Sequence, residues 1–340
     1  MTLQIETLRG LACLLLVAYH VVGADDGFGL QVADGPVRWI NDGLAYLRMP
    51  LFTFLSGLVY GVRPFGGNSR AFLSGKMRRL LVPMLVVGTL FALLQTVTPG
   101  VNSAPEPWYL WHVQPVAHFW FLESLFWVFV VVWALERRSW LQTGPRFAAV
   151  FVLACGVYLT VRGWSWFGLD GAIYLLPYFL GGLAATRFSF RVWLAKPWIK
   201  GALLVGAVGA ILWMGWPVSN PDRRTGWMLM SGLFLCLLCL SSGLTHRLLA
   251  DIGRRSYAIY LFHVFFTAAA RIALDRLQID MLPLDLAAGL LFGLAGPMVI
   301  DRVASRFAWP SLLLLGKSAK GRRSDGVMPA PRAPVRSIRG

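Results

Sequence analysis

The sequence predicts an all-α polytopic membrane protein of about ten transmembrane helices, with both the N-terminus and the C-terminus in the cytoplasm. Three observations predict it: the composition, the lengths of the apolar segments and the distribution of basic residues. Of the 340 residues, 57% are hydrophobic and 14% are charged, whereas soluble domains carry about 25% charged residues. Mean hydropathy is +0.61. In a soluble protein the formal charge of +16 would suggest a nucleic-acid partner. Here we attribute it to membrane topology and expect no nucleic acid.

Ten apolar segments approach the length of about 20 residues that a membrane-spanning helix needs. The first has an alternative interpretation as a cleavable secretory signal, because Arg9 precedes its apolar run and small residues follow it. The polar residues within this segment argue against that interpretation. In chain order the segments cover residues 7–23, 43–62, 80–98, 118–135, 147–162, 171–187, 200–217, 226–245, 256–274 and 284–304.

The basic residues test this count, because they should collect in the cytoplasmic connections between spans. With a cytoplasmic N-terminus, all but seven of the 32 lysines and arginines lie on the inner side. We therefore expect a transmembrane domain over residues 1–306. Residues 316–340, rich in Arg, Pro, Gly and Ser, should form a disordered basic cytoplasmic tail. The seven outer basic residues are Arg38, Arg48, Arg162, Arg223, Arg224, Arg271 and Arg276.

Polar and ionisable side chains inside a span are costly, so they form the list of candidate functional residues. Arg9 and His20 share the first span and stand 11 residues apart. At 100° per residue this places them about 20° from the same face, with an axial separation near 16 Å. The plainer alternative is an interfacial arginine that reaches the headgroups and a histidine that bonds to a neighbouring helix.

The second span and the connection after it add further cations. Arg48 precedes Pro50, which frees a backbone carbonyl and lets the helix bend. Arg48 either reaches the outer interface or faces the bundle as a fixed cation near His20. Lys76 and Arg79 stand three residues apart before the third span. In a continuous helix they share a face and can clamp a phosphate; the alternative is contact with lipid headgroups.

Two later spans carry the remaining candidates. Glu123 lies in the apolar run of the fourth span and needs a partner, for which we suggest Arg48. His112 and His118 are expected at or outside the outer interface. His263 is the second histidine expected inside the membrane, about 12 Å from the inner end of the ninth span. Its simplest role is a hydrogen bond between helices.

These fragments together resemble the acyltransferase 3 family, the integral-membrane O-acyltransferases that modify bacterial glycans and related molecules. Residues 6–12 with His20 reproduce the family's pattern of an arginine, ten residues and a histidine. Residues 49–57 are similar to its second-helix motif, residues 120–122 to its fourth-helix motif and residues 256–263 to its late-helix motif. The resemblance runs from about residue 5 to residue 305. One departure is Lys76, where the family has an arginine, because lysine lacks the bidentate guanidinium.

The resemblance implies transfer of an acyl group, most often acetyl from acetyl-CoA, to a hydroxyl of a glycan or glycolipid at a bacterial inner membrane. The proposed cofactor-binding residues are Arg9, Lys76 and Arg79, the basic cluster where the coenzyme phosphates can dock. The main catalytic candidate is His20, which we expect to act as general base. An alternative role, ranked second, is that His20 itself becomes acylated as an acyl-imidazole. Arg48 or a backbone donor near Pro50 is the candidate for the oxyanion. The candidate site is completed by Glu123 as a catalytic residue and by Trp120, Tyr260 and His263 as substrate-binding residues.

Two other classes of function stay open from the residues alone. Ten helices with intramembrane His, Arg and Glu also suit a proton-coupled secondary transporter, although no internal repeat is evident. A noncatalytic membrane scaffold or sensor is the third alternative. Cys236 and Cys239 have the spacing of half a zinc site, but they lie among leucines, so we expect packing and no metal.

Overall fold

A computed structural model of the chain describes residues 2–23, 27–102, 106–214 and 224–318, and within these ranges the regular secondary structure is helical, without a strand. The helices follow one another through short connections, and residues 77–81, 108–110, 117–119 and 166–168 form single π- or 3₁₀-turns. The α-helices are α1 Thr2–Val22, α2 Pro36–Gly43, α3 Ala45–Val62, α4 Ser69–Lys76, α5 Val82–Val97, α6 Trp120–Arg137, α7 Gly144–Thr160, α8 Leu169–Arg187, α9 Phe190–Leu194, α10 Pro197–Met214, α11 Gly226–Ser241, α12 Arg247–Arg254, α13 Ser256–Arg276, α14 Leu282–Ala304 and α15 Ala308–Leu315.

Each of the ten predicted segments coincides with a helix, and the all-α prediction is confirmed over the described residues. Seven helical segments in those ranges are long and apolar enough to cross a membrane. The helices at the fifth, seventh and eighth predicted spans are shorter apolar helices, so ten spans and cytoplasmic termini stay predictions. Of the predicted tail, residues 319–340 lie outside the described part of the chain. The seven segments are Thr2–Val22, Pro36–Val62, Ser69–Val97, Ala117–Arg137, Trp166–Arg187, Ser256–Arg276 and Leu282–Ala304.

Glycines set the closest helix crossings. A Cβ on Gly10 of α1 would lie 1.8 Å from the carbonyl oxygen of Leu249, and one on Gly253 of α12 would lie 1.8 Å from that of Glu6. The contact is therefore reciprocal, and it lets the two backbones touch. Gln4 adds a side-chain hydrogen bond of 2.7 Å to the carbonyl of Leu240. The first helix is thus packed into the bundle along its length, as a part of the fold.

A π-turn at residues 77–81 joins α4 to α5 and redirects the basic residues there. The N–H of Val82 donates to the carbonyl of Met77, five residues earlier. Pro83 has no N–H to donate to the carbonyl of Arg79, and the hydroxyl of Tyr257 from α13 donates to it instead. The sequence around Pro83 therefore ties the start of α5 to the start of α13.

The bundle has two ends that we name by their residues. At the basic end, α1 begins and Arg9, Lys76 and Arg79 lie, together with the start of α13. At the cavity end, α1 ends with His20 in its last turn, and residues from the loops 27–30 and 98–102 line the cavity there. Because a helix rises 1.5 Å per residue, Arg9 and His20 are separated by about 16 Å along α1.

Candidate active site

A cavity of about 530 Å³ lies at the cavity end between α1, α3, α5 and α13. Its lining is mainly apolar, as in most small-molecule sites. Leu94 of α5 and Phe265 and Ile272 of α13 form one wall, and Leu16, Tyr19 and His20 of α1 form another. Those three residues of α1 follow the helical spacing that places side chains on one face. The face of α1 that carries His20 therefore looks into the cavity.

Among the described residues, Arg48 is one of two arginines that line this cavity, the other being Arg271. Its side chain is buried, with 4% exposure, and it lines the cavity beside His20. The guanidinium lies 4.5 Å from the centre of the Tyr19 ring and donates to the side-chain oxygen of Asn41 at 2.8 Å and to the Asn41 carbonyl. These contacts fix its position. Of the two predicted alternatives, the one in which Arg48 faces the bundle is therefore confirmed.

Three histidines meet at the deep end of the cavity. The Nδ1 atom of His20 lies 3.2 Å from the Nε2 atom of His263, and the two ring centres are 4.6 Å apart. The His118 ring centre lies 4.9 Å from that of His263 and 6.0 Å from that of His20. Over the described ranges, no group of three or more His, Cys, Asp or Glu is arranged to hold a metal ion. His20 and His263 hydrogen-bond to each other, and each of the three rings hydrogen-bonds to a backbone carbonyl.

His118 belongs to the cluster, although the sequence analysis did not include it among the site residues. We expected it at the outer interface, but it is buried, with 7% exposure, because the 3₁₀-turn at residues 117–119 directs it inward. Its Nε2 atom lies 3.4 Å from the Leu261 carbonyl, and its Nδ1 atom has no hydrogen-bond partner within the described ranges. The sequence did contain one indication that His118 is buried, because it directly precedes Phe119 and Trp120 in an apolar run. His112 does lie outside the spans, where partial burial lowers its pKa and Thr89 hydrogen-bonds it at 2.9 Å.

The three residues expected to bind substrate have different positions. Trp120 and Tyr260 line the cavity, and the Tyr260 hydroxyl donates to the carbonyl of His118. His263 is fully buried and lies behind His20, outside the cavity lining. A direct contact between His263 and a bound substrate therefore does not fit this geometry.

Glu123 does not pair with Arg48, so the suggested ion pair is wrong. Arg48 is held by Asn41 and Tyr19, whereas Glu123 packs close to Gly168 on the other side of α6. Within the described residues the Oε2 atom of Glu123 has no hydrogen-bond partner, and Glu123 does not line the cavity. The sequence placed both residues near one membrane surface, but it could not give the rotation of α6 relative to α3.

At the basic end, Arg79 lies close enough to both Arg9 and Lys76 for their charges to interact. Arg9 is half-buried and Arg79 is exposed. The Lys76 ammonium lies 3.5 Å from the ring centre of Phe129 and 5.3 Å from that of Phe72. Lys76 ends α4 and Arg79 lies in the π-turn that follows it, so a shared face for their two side chains stays a prediction. In the described part of the chain none of the three forms an ion pair with a carboxylate.

The two ends are joined by one face of α1. The cavity lining on α1 stops at Leu16, and Cys13, one turn nearer to Arg9, is fully buried. The Cys13 thiol lies 3.9 Å from the carbonyl of Ser256 at the start of α13. The cavity lining therefore does not extend along α1 to Arg9.

A family model described as an acyltransferase domain, that of the acyltransferase 3 family, matches residues 2–302. The chain belongs to the acyltransferase 3 family. The resemblance seen in the sequence is thereby confirmed over nearly the whole chain, and the protein is a multi-pass membrane acyltransferase. No curated protein and no solved structure matches the chain. The transporter and the scaffold gain no support from the family, which is one of acyltransferases.

Proposed function

We propose that this acyltransferase moves an acyl group, acetyl in the first instance, from acyl-CoA to a hydroxyl of a cell-envelope glycan or glycolipid at the bacterial inner membrane. His20 is the general base. The observation that carries the proposal is the position of His20 on the wall of a cavity, with a fixed arginine beside it and a cluster of cations at the other end of the same helix. These are the parts that acyl transfer from a long, phosphate-bearing donor requires.

The donor binds at the basic end in this proposal. Coenzyme A carries its phosphates at one end of a flexible arm and the thioester at the other. Arg9 and Arg79 suit the phosphates, because they have no carboxylate partner in the described residues and charge-assisted hydrogen bonds to phosphate are strong. Lys76 adds positive charge, but its ammonium is held against Phe129. The arm then extends along α1 and brings the thioester to His20.

The acceptor enters from the cavity end. Its hydroxyl proton passes to His20 while the hydroxyl oxygen forms a bond with the thioester carbonyl carbon. The oxyanion that develops on the carbonyl oxygen is stabilised by the Arg48 guanidinium. The carbon–sulfur bond then breaks, and the coenzyme leaves as a thiol after it takes the proton from His20. An acyl-imidazole on His20 is the variant that we rank second.

The test is acyl transfer by the purified protein in proteoliposomes. Acyl-CoA with a labelled acyl group is supplied on one side, and bacterial envelope glycans or glycolipids are supplied on either side. We expect label in the acceptor only when donor and acceptor face opposite ends of the bundle. Mass spectrometry of envelope glycans from cells with and without the gene then identifies the acceptor by the acyl mass that is lost. Absence of transfer to any such acceptor, with intact protein, would contradict the proposal.

A further inference from the structure

We infer that His263 is a positioning residue that holds the proton of His20 on Nδ1 and so makes Nε2 the basic nitrogen. The inference rests on the proposed role of His20 as general base. It concerns the pair formed by α1 and α13, which the sequence does not place in contact.

The proton of His263 is fixed by the backbone of its own helix. Its Nδ1 atom lies 2.9 Å from the carbonyl oxygen of Ile259 and 2.9 Å from that of Tyr260. A carbonyl oxygen only accepts, so Nδ1 must carry the hydrogen. In a neutral imidazole the other nitrogen then has a lone pair. The Nε2 atom of His263 is therefore an acceptor, and it points at His20.

This acceptor on His263 determines which nitrogen of His20 carries the hydrogen. Its Nδ1 atom faces two acceptors, the lone pair of His263 Nε2 at 3.2 Å and the carbonyl oxygen of Leu16 at 3.0 Å. A nitrogen between two acceptors must carry the hydrogen, since otherwise three lone pairs would face one another at hydrogen-bond distance. His20 is thus protonated on Nδ1, and its Nε2 lone pair is the one that can receive a proton.

This arrangement also serves the step that follows. When Nε2 of His20 takes the proton of a hydroxyl, the ring becomes a cation whose Nδ1–H is already held by two acceptors. Hydrogen bonds to a charged donor are stronger than those to a neutral one, so the pair favours the protonated ring. Because His263 is fully buried and lies outside the cavity lining, it acts on His20 without touching a substrate.

Two substitutions separate positioning from packing. His263→Gln places a carboxamide oxygen near the former Nε2, where it can accept from His20. His263→Asn keeps a donor near the former Nδ1 for the backbone carbonyls but has no atom that reaches His20. We expect His263→Gln to stay within about 5-fold of the wild-type kcat and His263→Asn to lose about 10-fold to 100-fold. KM for both substrates should stay unchanged.

The decisive measurement is the tautomer of His20, read by NMR of the protein labelled with ¹⁵N-histidine and assigned with His20→Gln. We expect the hydrogen on Nδ1 in the wild type and in His263→Gln, and a shift towards Nε2 in His263→Asn. A wild-type His20 protonated on Nε2 overturns the inference, and so does an equal loss of kcat in both variants. Because the wild-type spectrum needs neither activity nor a variant of His263, it stands if His263→Asn fails to fold. A wild type with the predicted tautomer but no acyl transfer would instead contradict the proposed function.

Discussion

The two ends of the bundle bind their ligands by different physical means. At the cavity end, His20, His263 and Arg48 are fixed by short contacts among buried groups. At the basic end, Arg9 is half-buried and Arg79 is exposed, so we expect them to act through their charge more than through a fixed geometry. A preorganised site changes the rate of the chemical step, whereas a solvated cation cluster changes affinity and depends on salt. Substitutions at the two ends should therefore separate kcat from KM.

The largest effect is expected for His20→Ala. Loss of the general base should lower kcat by between about 100-fold and 10,000-fold, with little change in the KM for acyl-CoA. The measurement is steady-state acyl transfer in proteoliposomes. The matched control is His112→Gln, because His112 bonds to Thr89 outside the spans and takes no part in the cluster. Activity of His20→Ala equal to that of His112→Gln would remove His20 from the mechanism.

The second effect should appear at the basic end with Arg9→Gln. Loss of a charge-assisted contact to phosphate should raise the KM for acyl-CoA by about 10-fold to 100-fold while kcat changes little. An acyl-pantetheine donor, which lacks the coenzyme phosphates, should show no difference between wild type and variant. Added salt should raise the wild-type KM for acyl-CoA towards that of the variant.

Arg78→Gln is the matched control for that experiment. Arg78 lies in the same π-turn, but its Nε donates to the carbonyl of Gly316 at 3.3 Å. We expect its KM for acyl-CoA to rise less than about 3-fold, as for other partly exposed charges. If Arg9→Gln raises the KM for acyl-CoA and for acyl-pantetheine equally, Arg9 does not contact the phosphates. The expected difference between the two ends of the bundle is then absent.

The sequence predicted those features that depend on one helix at a time. Arg9 and His20 were predicted to lie on one helix because both are part of one long apolar run, and the structure places both in α1. Arg48 was placed near the cavity end by its position at the start of the second span, and Trp120 and Tyr260 by the motifs that carry them. All four predictions concern depth along a helix, which the rise per residue determines.

Features that depend on how helices are rotated against one another were missed. Glu123 has the right depth to meet Arg48, but α6 turns it towards Gly168. His118 enters the cluster through a 3₁₀-turn that apolar patterning does not predict. In each case a short non-α turn or a helix packing angle decided the outcome, and single-sequence periodicity contains neither.

The smallest effect is expected for a surface ion pair at the basic end. Asp251 of α12 accepts hydrogen bonds from Arg255 at 2.5 Å and from Arg254 at 2.9 Å, and these lower its pKa from the ordinary value of 3.8. A lowered pKa stabilises the folded state above the unfolded pKa, and that contribution is lost as pH falls through the folded pKa. Because Asp251 is 37% exposed, Asp251→Asn should lower the melting temperature by at most about 2 °C at pH 7.

This difference in melting temperature should vanish below the pKa of Asp251 and shrink in 1 M salt, where the screening length is about 3 Å. Thermal unfolding of wild type and Asp251→Asn across pH and salt measures both. Acyl transfer should be unchanged at pH 7, since Asp251 does not line the cavity. A large, salt-independent loss would mean that charges at the basic end are shielded from water. In that case Arg9 and Arg79 would also be fixed, low-dielectric groups, and their substitution should then lower kcat as His20→Ala does.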